Sequence, residues 1–116
     1  MAIQFEGRQL LRLYVGEQAK HHHRPLYEAI IAEAKERGLA GATVFKGILS
    51  YGTSGTVRTA KILELSQSLP VVIEIMDTQE RIETFLPVIE ALVAESGVHV
   101  HVTLETVRSA IIFSGK

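Results

Sequence analysis

Any chemistry this chain performs rests on cations, histidines, carboxylates and backbone amides, because the sequence contains no cysteine and so offers neither a thiolate nucleophile nor a thiolate metal site. Three groupings stand out. Lys20, His22 and Arg24 alternate just ahead of Pro25, which reads as the first turn of a helix. Free N–H groups and the helix dipole favour an anion at such a start, giving a phosphate a place to dock, although a solvated basic turn has the same composition. Lys46, Tyr51, Gly52, Gly55 and Arg58 lie in or beside the run from Ser50 to Arg58. Here the glycines permit close backbone approach and the cations supply charge-assisted bonds to an anionic ligand. Any exposed turn uses glycine and hydroxyl residues too, but a loop of about 12 residues inside a compact domain is commonly functional. His99 and His101 are two apart in an alternating segment, so they point the same way, a usable geometry for a metal. Three copies around an axis could converge them. A transition metal needs three or four ligands, however, and interface histidines that change charge near neutral pH fit the same pattern.

Several classes of function are excluded or unsupported. No glycine-rich run ends in Gly-Lys-Ser or Gly-Lys-Thr, which removes the ordinary phosphate-binding loop of NTPases. No serine sits in a recognisable nucleophile turn, so no triad can be argued and catalysis has no positive support. Glu74, inside an apolar segment, is the acid most exposed to a perturbing environment, as a titrating group or a paired structural one. With 12 basic and 13 acidic residues the formal charge is -1, so no global field draws in nucleic acid. The start MAIQFEGRQL has no basic or apolar signal region, and no apolar run reaches membrane-span length; with the missing cysteines this leads us to expect a cytoplasmic protein with no membrane insertion.

The elements that must position these groups follow from periodicity. Alternation over Leu10 to Val15 predicts a strand with Leu11, Leu13 and Val15 on one side and Leu10, Arg12 and Tyr14 on the other. Leu26, Ala29, Ile30, Glu33, Ala34 and Arg37 then recur at helical spacing, so a helix is expected over 25–37 with Gly38 as its left-handed stop. A second strand is expected over 42–49, followed by a mobile loop, a short strand extension over 62–65 and a third strand over 70–76. Asp77 and Glu80 form a capping-box spacing that opens a second helix, kinked at Pro87 and ending near Gly97. Val98, Val100, Val102 and Leu104 alternate in a last strand, and the apolar stretch from 108 either adds a short strand or docks on a neighbour.

At 116 residues this is one domain by length, spanning 1–116. Two interleaved right-handed β-α-β units give an α+β, ferredoxin-like βαββαβ sandwich, antiparallel with sheet order 4-1-3-2 and both helices on one face. The other face is then bare. It would carry Leu10, Tyr14, Phe45, Leu49, Val72 and Met76 among Arg12, Glu74, His99, His101 and Thr103. Such a face presents on the order of 300 Å² of flat sheet, the scale at which a binding reason is usual, so closed association through the sheets is expected.

Arg24-Pro-Leu-Tyr-Glu-Ala-Ile, then Arg37-Gly-Leu-Ala-Gly-Ala-Thr-Val-Phe-Lys-Gly-Ile, Tyr51-Gly and Leu69-Pro-Val-Val-Ile-Glu-Ile resemble the domain of unknown function 190 family, which is PII-like. The likeness continues through Arg81-Ile-Glu-Thr-Phe-Leu-Pro87 and Val102-Thr-Leu-Glu-Thr-Val107. It implies a ferredoxin-like fold, a PII-like homotrimer, a flexible loop that here is 50–61, and no established enzymatic activity. It further implies a small-molecule ligand, an adenine nucleotide above all, in the clefts between subunits, with the loop signalling to a partner protein not identified by the sequence. The alternatives are a trimeric divalent-metal-binding protein and, last, an enzyme acting on a small phosphorylated substrate. His21-His-His23 and Val98-His-Val-His-Val102 depart from the family pattern.

Overall fold

The computed structural model describes residues 3–52, 55, 57–59 and 69–113. In chain order these form β1 (Glu6–Gly16), β2 (Lys20–His21), β3 (Arg24–Pro25), α1 (Leu26–Glu36), β4 (Ala42–Lys46), β5 (Leu49–Ser50), β6 (Arg58–Thr59), β7 (Pro70–Asp77), α2 (Gln79–Ser96) and β8 (His101–Ser109). The main sheet has the order β4-β7-β1-β8 with every neighbouring pair antiparallel. Counting only those four strands, this is the expected 4-1-3-2 arrangement of a ferredoxin-like fold.

Directly opposed residues share a face in such a ladder. Leu11 faces Ile75 and Leu13 faces Ile73; all four are fully buried, together with Leu26 and Ile30 of α1 and Ile82 and Phe85 of α2. These side chains form one cluster, so both helices cover the same side of the sheet. The strand β8 sits at the edge: Val102 and Leu104, opposite Leu13 and Leu11, remain half exposed.

The helix ends follow backbone chemistry. After α1, Gly38 adopts φ 78°; its N–H donates to Lys35 O (3.2 Å) and that of Leu39 to Ala34 O (3.0 Å), the paired bonds of a Schellman stop. Gly97 ends α2 with φ 66°. The cap of α2 is Thr78 rather than Asp77, since the Thr78 hydroxyl accepts from the Arg81 N–H at 3.3 Å. Asp77 is instead buried, accepting from the Ala40 N–H (2.9 Å) and the Thr78 N–H (2.7 Å). The helix α2 runs on through Pro87.

The strand β1 starts at Glu6 rather than Leu10, and β4 and β8 also differ from expectation. The strand β4 stops at Lys46 rather than residue 49 because Gly47 turns against β7, its N–H donating to Pro70 O at 2.8 Å. Any Cβ at Gly47 would lie 3.1 Å from that oxygen. Leu49 and Ser50 pair instead with Thr59 and Arg58. The last strand starts at His101 and runs to Ser109, which pairs with Glu6 at the start of β1, whereas Val98 and Val100 precede it and pack on the core. The expected extension over 62–65 lies outside the described residues.

Candidate functional site

The candidate residues lie on segments that leave or enter one end of the sheet, where β1 and β4 finish and β7 and β8 begin. The backbone closes this end: the Glu17 N–H donates to Leu69 O at 3.0 Å, beside the Gly47–Pro70 bond. Lys46 ends β4 there and its ammonium lies 3.1 Å from the Glu17 carboxylate, a partner that sequence reasoning missed. From this base the β5–β6 ladder projects. It pairs Ser50 with Arg58, leaves Tyr51, Gly52 and Gly55 exposed, and places Gly55 at φ 77° with its N–H donating to Gly52 O (2.9 Å). Residues 53, 54, 56, 60 and 61 of the 50–61 loop lie outside the described residues.

The β2–β3 ribbon joins the same end to α1. Lys20 pairs with Pro25 and His21 with Arg24, so Lys20 and Arg24 leave opposite faces of the ribbon. The first N–H of α1, that of Leu26, already donates to Ala19 O at 2.8 Å. His22 and His23 form the connecting turn with φ 49° and 70°, as a type I′ hairpin requires. Asparagine and glycine suit those positions; histidine with positive φ is strained by about 1 kcal/mol each. His23→Gly is expected to raise stability by up to about 0.5 kcal/mol, the relieved strain less the unfolded-state entropy of glycine. Urea unfolding checks this, and a lowered midpoint would contradict it.

Two residues that sequence reasoning left aside meet here. The His21 imidazole N–H donates to the Glu95 carboxylate at 2.6 Å, the His22 ring nitrogen lies 3.9 Å from the same oxygen, and the two rings meet edge to face at 4.2 Å. The bond from His21 holds the Glu95 carboxyl below its ordinary pKa. Glu95 occupies the last turn of α2, which has no basic residue, although the dipole there disfavours an acid. That misplaced charge was a readable signal. By contrast, His99 precedes β8 and only His101 lies in it, which corrects the picture of both on one strand. Among the described residues the histidine and acid side chains that converge at metal-binding distance are His21, His22 and Glu95.

The helix-free face adjoins this end. Phe45, Val72, Tyr14 and His101 lie in one row across the sheet, and Thr43, Glu74, Arg12 and Thr103 in the next. Phe45 is 51% exposed and Tyr14 and Met76 each 40%. Leu49 and His99, expected on this face, lie outside the four-stranded sheet. Arg12 anchors the centre: its Nε donates to Glu74 at 2.8 Å and its Nη1 donates to Glu105. Glu74 is thus a paired structural acid, and the two carboxylates hold the guanidinium still more firmly protonated.

This architecture is that of the PII-like proteins. CPII of Thiomonas intermedia, a nitrogen regulatory PII-like protein whose structure contains ADP, AMP and bicarbonate, matches with a TM-score of 0.62 and 16% identity, over 95% of this chain and 94% of that one. A protein of Thermus thermophilus described as PII-like and signalling matches with a TM-score of 0.59 and 15% identity, over 91% and 92%. The chain belongs to the DUF190 family ("Uncharacterized ACR"), whose model matches residues 8–109. A UPF0166 protein of Aquifex aeolicus is 44% identical across 68% of this chain and 75% of its own length. A UPF0166 protein of Methanocaldococcus jannaschii is 38% identical across 76% and 81%.

Proposed function

We propose that the protein is a cytoplasmic PII-like regulator, a homotrimer that binds an adenine nucleotide in clefts between subunits and signals to a partner protein through the 50–61 loop. The observation that carries the reading is the shared fold with CPII, whose structure contains ADP and AMP. Two features of this chain support it. The helix-free face leaves Tyr14 and Phe45 exposed toward the site and Met76 exposed toward the opposite end of the sheet, apolar surface that a second and third copy would cover. The radius of gyration is 16.2 Å, against about 13 Å for a compact chain of this length. An extended form suits contact with neighbouring copies.

In this reading phosphate oxygens replace Glu17 as the partner of Lys46, Arg58 adds a second cation, and Gly52 and Gly55 allow backbone approach. Nucleotide then favours the ordered loop by its differential affinity for that state, and by no more. Calorimetry on purified protein is expected to detect AMP, ADP or ATP. Lys46→Ala and Arg58→Ala are each expected to weaken binding by about tenfold, the loss of one charge-assisted bond at a partly exposed site. Silence across all three nucleotides would remove the reading.

Among the described residues no helix is long and apolar enough to cross a membrane.

A further inference from the structure

We infer that His21, His22 and Glu95 form a binding site for a divalent late first-row transition metal, clipping the β2–β3 turn to the end of α2. The ligand set is two imidazoles and one carboxylate, with donor atoms all within 4.8 Å of one another. Three such ligands with the remaining position open to water suit zinc and its neighbours.

The geometry is near what a metal needs. With metal–nitrogen bonds of about 2.0–2.1 Å, tetrahedral donors stand about 3.3 Å apart. The present separations to Glu95, 2.6 Å from His21 and 3.9 Å from His22, bracket that value. The two separations to Glu95 therefore change by about 0.6–0.7 Å, and the two imidazole donors, within 4.8 Å of each other, close by at most about 1.5 Å, within the reach of side-chain rotation at the exposed His22. The ion takes the place of the hydrogen-bonded proton between His21 and Glu95; a neutral imidazole that ligates through that nitrogen carries its proton on the other ring nitrogen.

Two independent features favour a cation at this spot. The C-terminal carbonyls of α2 present the negative end of the helix, its last turn has no basic residue, and Glu95 adds a full negative charge. The turn is also held in a strained form, with φ positive at His22 and His23, and this conformation holds His22 beside Glu95. Backbone strain that persists at ligating side chains is characteristic of functional sites. His22 is 77% exposed and His21 15% exposed, so one ligand is anchored and the other is free to close on an arriving ion. A groove of about 300 Å³ beside the histidines, walled by Arg24, Glu33 and Glu36, leaves room for water on the open side. Arg24 brings a positive charge to that wall; it reaches toward Glu28 O, and the acidic pair on α1 faces it across the groove.

The test is zinc titration of the untagged full-length protein by calorimetry. One Zn²⁺ per chain is expected, with His22→Ala and Glu95→Gln each weakening affinity by at least about 100-fold, since even outer-shell changes cost about 10- to 100-fold. His99→Ala should leave affinity within about twofold. Both ligand substitutions fall on exposed side chains and so should fold, which the retained thermal transition verifies; added Zn²⁺ should raise that transition in the parent protein and in neither variant. Absence of Zn²⁺ binding by the parent protein, or unchanged affinity in both variants, overturns the site. Nucleotide titration of the same samples reads the regulatory proposal separately, because none of these three residues belongs to the phosphate contacts proposed for Lys46 and Arg58.

Discussion

Asp77→Ala is expected to lower stability by about 3–5 kcal/mol. The Asp77 side chain is buried and satisfies two backbone N–H groups, those of Ala40 and Thr78. Truncation leaves both without an acceptor, and each such bond to a charged group contributes about 1.5–3 kcal/mol. The loss is large against the total of about 5–15 kcal/mol usual for a domain. It is also global, because Asp77 ties the turn after α1 to the junction of β7 and α2. The same junction receives Arg81, whose guanidinium donates to Gly38 O at 2.5 Å. Asp77→Asn keeps one acceptor oxygen and should cost roughly half as much. Urea unfolding of the three proteins measures both values. A cost below about 1 kcal/mol for the alanine variant would mean that water takes over both N–H groups.

The second large effect is on assembly. Arg12→Glu sets a third carboxylate between Glu74 and Glu105, in the middle of the face that the proposed trimer buries. Like charges brought together and cut off from water by neighbouring copies oppose association far more than they would on an open surface. Sedimentation velocity should show the parent protein as a trimer and this variant as a monomer. Lys35→Glu makes the same change of charge on α1, on the far side of the sheet, and should leave the assembly intact. A parent protein that sediments as a well-folded monomer at micromolar concentration would remove the shared clefts and with them the regulatory reading.

Much of this was legible in advance, for reasons that differ between elements. The alternation of Leu11, Leu13 and Val15 against Leu10, Arg12 and Tyr14 correctly assigned the two faces of β1, since a period of two leaves a single choice of side. Gly38 and Gly97 marked helix ends because a left-handed stop favours glycine. The cap of α2 was misassigned by one residue: Asp77 and Thr78 are both capable caps, and only burial of the aspartate by the turn at Ala40 decides between them. The start of β8 was misplaced because valines at 98 and 100 alternate as a strand would, while the pairing partner that ends the ladder, Tyr14, lies far away in sequence.

The candidate site shows the same division. Runs of side chains alone determined the strand faces, the helix stops, the absence of thiol chemistry and the family to which the chain belongs, because each depends on local periodicity, on single residue types or on stretches of neighbouring residues. Tertiary structure alone decided that Lys46 meets Glu17 and that His21 meets Glu95 from 74 positions away in the chain. Those contacts depend on how strands and helices far apart in the chain come to lie side by side, and no local pattern encodes that distance.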